Sequence, residues 1–79
     1  MAIYIEIIKV AETAGQAEYS FGASAEKVGR LRLNKASGAV TVLVPLADDV
    51  GSRYTARATQ KIVQHWRKGE SPARTCWAS

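Results

Sequence analysis

From Ser52 to Lys68 the apolar side chains recur at a four-residue spacing, against a complement of basic and amide side chains. At about 100° per residue, Tyr54, Ala58, Ile62 and Trp66 fall on one side, with Thr55, Thr59 and Val63 flanking. Arg53, Arg57, Gln60, Lys61, Gln64 and Lys68 fall opposite. This pattern predicts one amphipathic helix. Asp48, Asp49 and Ser52 are candidate N-caps, and the two aspartates also suit the positive end of the helix dipole. Arg67 and Lys68 suit the negative end, Gly69 suits the position after the helix, and Pro72 prevents its resumption.

Before the helix, four segments alternate with the period of a strand, separated by turn and loop signals. Ile3 to Val10 reads as a strand, with Ile3, Ile5 and Ile7 on one face and Tyr4, Glu6, Ile8 and Val10 on the other. Thr13-Ala14-Gly15-Gln16 is a turn signal. A second strand, Ala17 to Phe21, alternates Tyr19 and Phe21 against Glu18 and Ser20, and Gly22 to Lys27 reads as a polar loop of small residues. In the third strand Leu31 and Leu33 oppose Arg30 and Arg32. Asn34 to Gly38 forms a hairpin loop, with Gly38 the left-handed residue that closes it. Strand four, Ala39 to Val44, sets Val40, Val42 and Val44 against Thr41 and Leu43, and Pro45 ends the ladder.

These elements predict an α+β fold: a four-stranded antiparallel meander, since sequence neighbours tend to pair, then one amphipathic helix packed on one sheet face. The tail, Ala73 to Ser79, contains Trp77, an aromatic that is unfavourable to leave in water, so it is expected to dock, either on its own sheet, as a short fifth strand on an edge, or across a second copy of the chain.

With 79 residues the chain has room for one domain, spanning positions 1–79. A domain of this size buries roughly 60% of its unfolded surface and is marginally stable unless something reinforces it. Cys76 is the only cysteine and His65 the only histidine, so neither an internal disulfide nor a His/Cys zinc site within one chain is available. Good packing or self-association remains. The first residues, Met1-Ala2-Ile3-Tyr4-Ile5-Glu6, lack the basic start of a signal peptide, and no apolar run reaches the length of a membrane span. A single unpaired thiol fits a reducing cytoplasm. The net charge of +4 is a mild basic bias.

Two surfaces invite a function. If the helix covers the leucine side of the sheet, the other side carries Tyr4, Ile8, Val10 and Leu43 without a cover, and Trp77 of the tail is the natural addition to it. Such a face suits a protein partner or a second copy of the chain. The helix offers the alternative: it holds five basic residues and no acidic one, and Arg53, Arg57, Lys61 and Lys68 form a face for a polyanion such as nucleic acid. Arg30 and Arg32 lie on the other side of the sheet and do not extend that face.

Catalysis, metal and cofactors find no support. Cys76 and His65 need contact and an orienting third group to act as nucleophile and base. Adjacent aspartates before a helix are ordinary caps, and the glycines have no nucleotide-binding spacing. The sequence is that of a small intracellular interaction protein, an adaptor or regulator without catalytic activity and a candidate homodimer, with weak, sequence-independent nucleic-acid binding as the alternative.

Overall fold

The computed structural model describes residues 4–24 and 26–78, Val50 by its backbone alone. Ile3, Ala25 and Ser79 lie outside the described residues. The elements are β1 (Tyr4–Glu12), β2 (Gln16–Ser24), β3 (Lys27–Asn34), β4 (Val40–Val44), a 3-10 turn (Val50–Ser52), α1 (Arg53–Arg67) and β5 (Arg74–Ala78). The sheet is antiparallel throughout, in the order β4-β3-β2-β1-β5. The meander and the helix are as the alternation predicts, and the tail does form a fifth strand.

Alternation decides the core. Ile5 and Ile7 of β1, Ala17, Tyr19 and Phe21 of β2, and Leu31 and Leu33 of β3 all face the helix and are buried, as are Ala58 and Ile62 of α1. Val40, Leu46, Tyr54, Trp66 and Trp77 pack around them. Each fully buried aliphatic or aromatic side chain contributes about 1.5–3 kcal/mol, so this single layer supplies the main favourable term.

The helix ends are chemically fixed. Ser52 occupies the N-cap with a left-handed φ of 55° and makes no capping bond through its side chain. Asp49 does that work instead: its carboxylate accepts the Tyr54 N–H at 2.9 Å, the Thr55 N–H at 3.0 Å and the Thr55 hydroxyl at 2.7 Å. Asp48 turns away to Lys27, 2.8 Å distant. At the other end Gly69 N–H donates to the Trp66 carbonyl and Glu70 N–H to that of His65, the paired bonds of a Schellman motif.

Three strand details depart from simple alternation. The segment Gly22 to Lys27, expected as a loop, is mostly strand: β2 continues to Ser24 and β3 resumes at Lys27. Gly22 permits this because β3 crosses directly over it; a Cβ there would lie 2.4 Å from the Lys27 carbonyl oxygen. Strand propensity reflects side-chain packing, so a strand whose role is close backbone approach carries little sequence signal. Second, β1 has a bulge: Lys9 pairs with Tyr19 and Ala11 with Glu18, leaving Val10 unpaired. Third, Val42 pairs with Leu31 but Val44 with Arg30, so Leu43 is an extra residue. Val44 therefore shares a face with Arg30 rather than with Val40 and Val42, since a bulge resets the phase.

Trp66 locks the helix to the β3–β4 hairpin. Its indole N–H donates to the Lys35 carbonyl at 2.7 Å, and its ring lies on Gly38, where an added Cβ would come within 2.6 Å of the ring. Gly38 also has φ +77°, so both its backbone conformation and its missing side chain are required. Gly38→Ala is expected to destabilise the protein by roughly 2–4 kcal/mol, combining the left-handed strain with displacement of the indole. Gly15→Ala, with nothing within 4 Å of the new methyl, is the control and is expected to be neutral or slightly stabilising. Urea midpoints check this; similar midpoints for the two variants would show that the indole does not anchor the helix.

Candidate functional site

On the sheet face turned away from α1, strand pairing brings together Tyr4, Glu6 and Ile8 of β1, Ser20 and Gly22 of β2, and Arg30 of β3. These residues, with Val10, Ala23, Ser24 and Val28, line a groove of about 450 Å³. Its shape follows from residue size: β2 contributes a floor of serine, glycine and alanine, while β1 and β3 raise larger walls. Tyr4 is 51% exposed, Val10 and Val28 43% each, and Val44 46%. The face is mixed rather than greasy. Arg32 reaches Glu18 at 3.8 Å, whereas Glu6 and Arg30 have no ion-pair partner among the described residues.

Of the residues that the sequence grouped here, Tyr4, Ile8 and Val10 line the groove and Leu43 does not. Leu43 is the half-buried extra residue of the β4 bulge. Trp77 is on the other side of the sheet. It pairs with Ile5, packs against the core, and lies under Arg57, whose guanidinium carbon is 5.4 Å from the ring centroid. The expectation that Trp77 covers the outer face is thus overturned by a strand register that points it at the helix. Val28 and Val44 are the additions that alternation missed.

In the sheet and its loops, Lys9, Lys27, Arg32 and Lys35 have carboxylate partners within 4 Å, while Arg30 and Arg74 have none among the described residues. On α1, Arg53, Arg57, Lys61, Arg67 and the adjoining Lys68 have none among the described residues. The nearby acids are engaged elsewhere. Burial pushes the Asp49 carboxyl up, but the hydrogen bonds from Tyr54 and Thr55 prevail and hold it below the usual range. Glu70 is held low by its hydrogen bond to His65.

His65 sits in an arrangement that spacing could not reveal. Its Nδ1 is 2.7 Å from Glu70 Oε1 and its Nε2 is 3.0 Å from Thr75 Oγ1. Carboxylate, imidazole and hydroxyl in that order are the chemical parts of a hydrolase triad. Here they join the end of α1 to β5. The adjacent cavity is lined by Glu70, Trp66, Lys35, Leu33, Gly69 and Ser71, and not by Thr75. Cys76 pairs with Glu6 and so points to the opposite side of the sheet from His65 and Thr75. Among the described residues, no group of three or more His, Cys, Asp or Glu side chains could hold a metal ion, and no helix is long and apolar enough to cross a membrane.

Glu12 is the chief electrostatic node. One carboxylate oxygen is 2.8 Å from Lys9 Nζ, and the other accepts from Lys35 Nζ and the Ser71 hydroxyl, both at 2.7 Å. Hydrogen bonds from Lys35 first, then Lys9 and Ser71, lower its pKa from 4.5 to about 2. A carboxylate that is more acidic in the folded chain contributes stability above its ordinary pKa and loses that contribution as pH falls toward the folded value. The window is therefore pH 4.5 down to about 2. Glu12→Gln is expected to lower the thermal midpoint at neutral pH and to flatten its fall across that window. Asp48, Asp49 and Glu70, also held low, leave a residual acid limb. Parallel midpoint–pH curves for variant and wild type would show that the node does not carry the acid sensitivity.

No protein-family model, curated protein or solved structure matches this chain.

Proposed function

We propose that this chain is a small cytoplasmic protein-interaction protein, an adaptor or regulator without catalytic activity, that works through the groove-bearing face of its sheet. The observation that carries the reading is the grouping of Tyr4, Ile8, Val10 and Val28 around a small-residue floor, on a face covered by no element among the described residues. Isolated exposed apolar side chains need no explanation, but a grouped set rimmed by charge suits an interface.

A second copy is the occupant that the face itself suits. Glu6 and Arg30 lie on the two strands flanking β2, Glu6 level with Gly22 and Arg30 level with Ser20. A two-fold axis along β2 would carry β1 of each copy over β3 of the other. Glu6 would then come within two residues, about 6.8 Å along the strand, of the partner's arginine, which a long side chain can span. Such a contact is self-complementary, as an isologous dimer requires. The mixed character of the face is also typical of an interface that forms and separates.

Light scattering on the full chain is expected to give a dimer mass. Val28→Glu, which places a charge on an exposed position of the groove wall, is expected to return a folded monomer. Glu6→Arg and Arg30→Glu are each expected to weaken association at least tenfold by setting like charges opposite each other, while the double exchange restores it. A wild-type monomer at high concentration, or a double exchange as weak as the single ones, would rule out the two-fold contact.

A further inference from the structure

We infer that the outward face of α1 is a separate binding site for the phosphate backbone of nucleic acid. Helix geometry sets Arg53, Gln60, Arg57, Gln64, Lys61, Arg67 and Lys68 within an arc of about 120°, along roughly 22 Å of axis. All five cations of this arc are arginine or lysine without a carboxylate partner among the described residues, whereas four of the six cations of the sheet and its loops are paired. The two glutamines add neutral hydrogen-bond donors between them.

The arrangement works against the helix that carries it. Arg53, Arg57 and Lys61 repeat at i, i+4 and i+8, where like charges repel. Arg53 is in the first turn, which holds no acidic residue, so its charge opposes the positive end of the helix dipole. Solubility would be served as well by mixed charges, as on an ordinary helix surface. A one-sign stripe is what a polyanion requires, because each neutralised phosphate releases a counterion. Arg57 is further ordered by the Trp77 ring beneath it, so the centre of the stripe is held in place. Phosphate contacts alone carry no sequence information, so the site reads backbone and not bases.

The limits of the site set its salt dependence. Arg30, Arg32 and Arg74 lie on the far side of the sheet, leaving five cations to the helix face. Binding of a 30-base-pair duplex, followed by fluorescence anisotropy, is expected to show a log–log salt slope near −4.5, or about 500-fold weaker affinity at 200 mM than at 50 mM salt. Replacing Arg53, Arg57 and Lys61 together by glutamine leaves two cations, and the slope is expected to fall to about −1.8. Circular dichroism is expected to show the helix intact in that variant. An unchanged slope in the folded variant would overturn the assignment. So would tighter binding to poly-glutamate, or to vesicles rich in anionic lipid, than to the duplex. Val28→Glu, on the opposite face, is expected to leave duplex binding intact, which separates this site from the sheet interface.

Discussion

The contact on which the architecture turns is the Trp66 indole lying on Gly38 with its N–H on the Lys35 carbonyl. An aromatic ring packed on a glycine allows a closer approach than any side-chain pair, so the helix is set against the hairpin at one distance and one rotation. The hairpin is itself rigid: Asn34 Oδ1 accepts from the Ala36 and Ser37 N–H groups, and Gly38 N–H returns to the Asn34 carbonyl. Lys35 then extends the connection through its side chain to Glu12 and the Thr13 carbonyl. One loop residue thus positions α1 through its backbone and the end of β1 through its ammonium group.

That docking determines what each surface can be. With the apolar stripe of α1 committed to Ile5, Ile7, Phe21 and Leu31, the helix presents only its polar arc to solvent, and the sheet presents only the reverse of its alternation. The reverse is not inert, because β1 and β3 place Tyr4, Ile8, Val10 and Val28 on it around a β2 that offers only small side chains. The two outward surfaces differ in chemistry and lie on opposite sides of the molecule, so occupying one does not block the other. The acidic residues reinforce this division, since most of them are used in caps and ion pairs that hold the fold and few remain to neutralise the helix.

Much of this was legible in the sequence, and the failures share a cause. The helix face from Tyr54 to Trp66 and the facing of Ile5, Ile7, Tyr19, Phe21, Leu31 and Leu33 follow from periodicity, because burial on one side leaves a strong pattern. Positions set by pairing register were not legible. Trp77 belongs to a five-residue strand whose partner is distant in sequence, and a shift of one residue moves its side chain to the other face. Val10 and Leu43 are bulge residues with no local signature, so the alternation of β4 misplaced Val44 and set Leu43 among the groove residues, where it does not lie. Gly22 to Ser24 looked like a loop because small residues serve close chain crossing as well as turns. The Glu70–His65–Thr75 chain needed the docking of β5 against α1 before its members could meet.

The pairing of β1 with β5 has a further consequence. Tyr4 is opposite Ala78, so the two ends of the described chain leave the sheet side by side. An entry and an exit this close suit a circular permutant, in which a short linker joins Ala78 to Tyr4 and the chain is reopened at an exposed turn such as the one around Gly15. The same geometry would let the unit be inserted as a cassette into a surface loop of a host protein, with little strain on either. The helix arc would stay exposed in such a graft, whereas Tyr4, at one point of attachment, lines the groove, so the host would border that face.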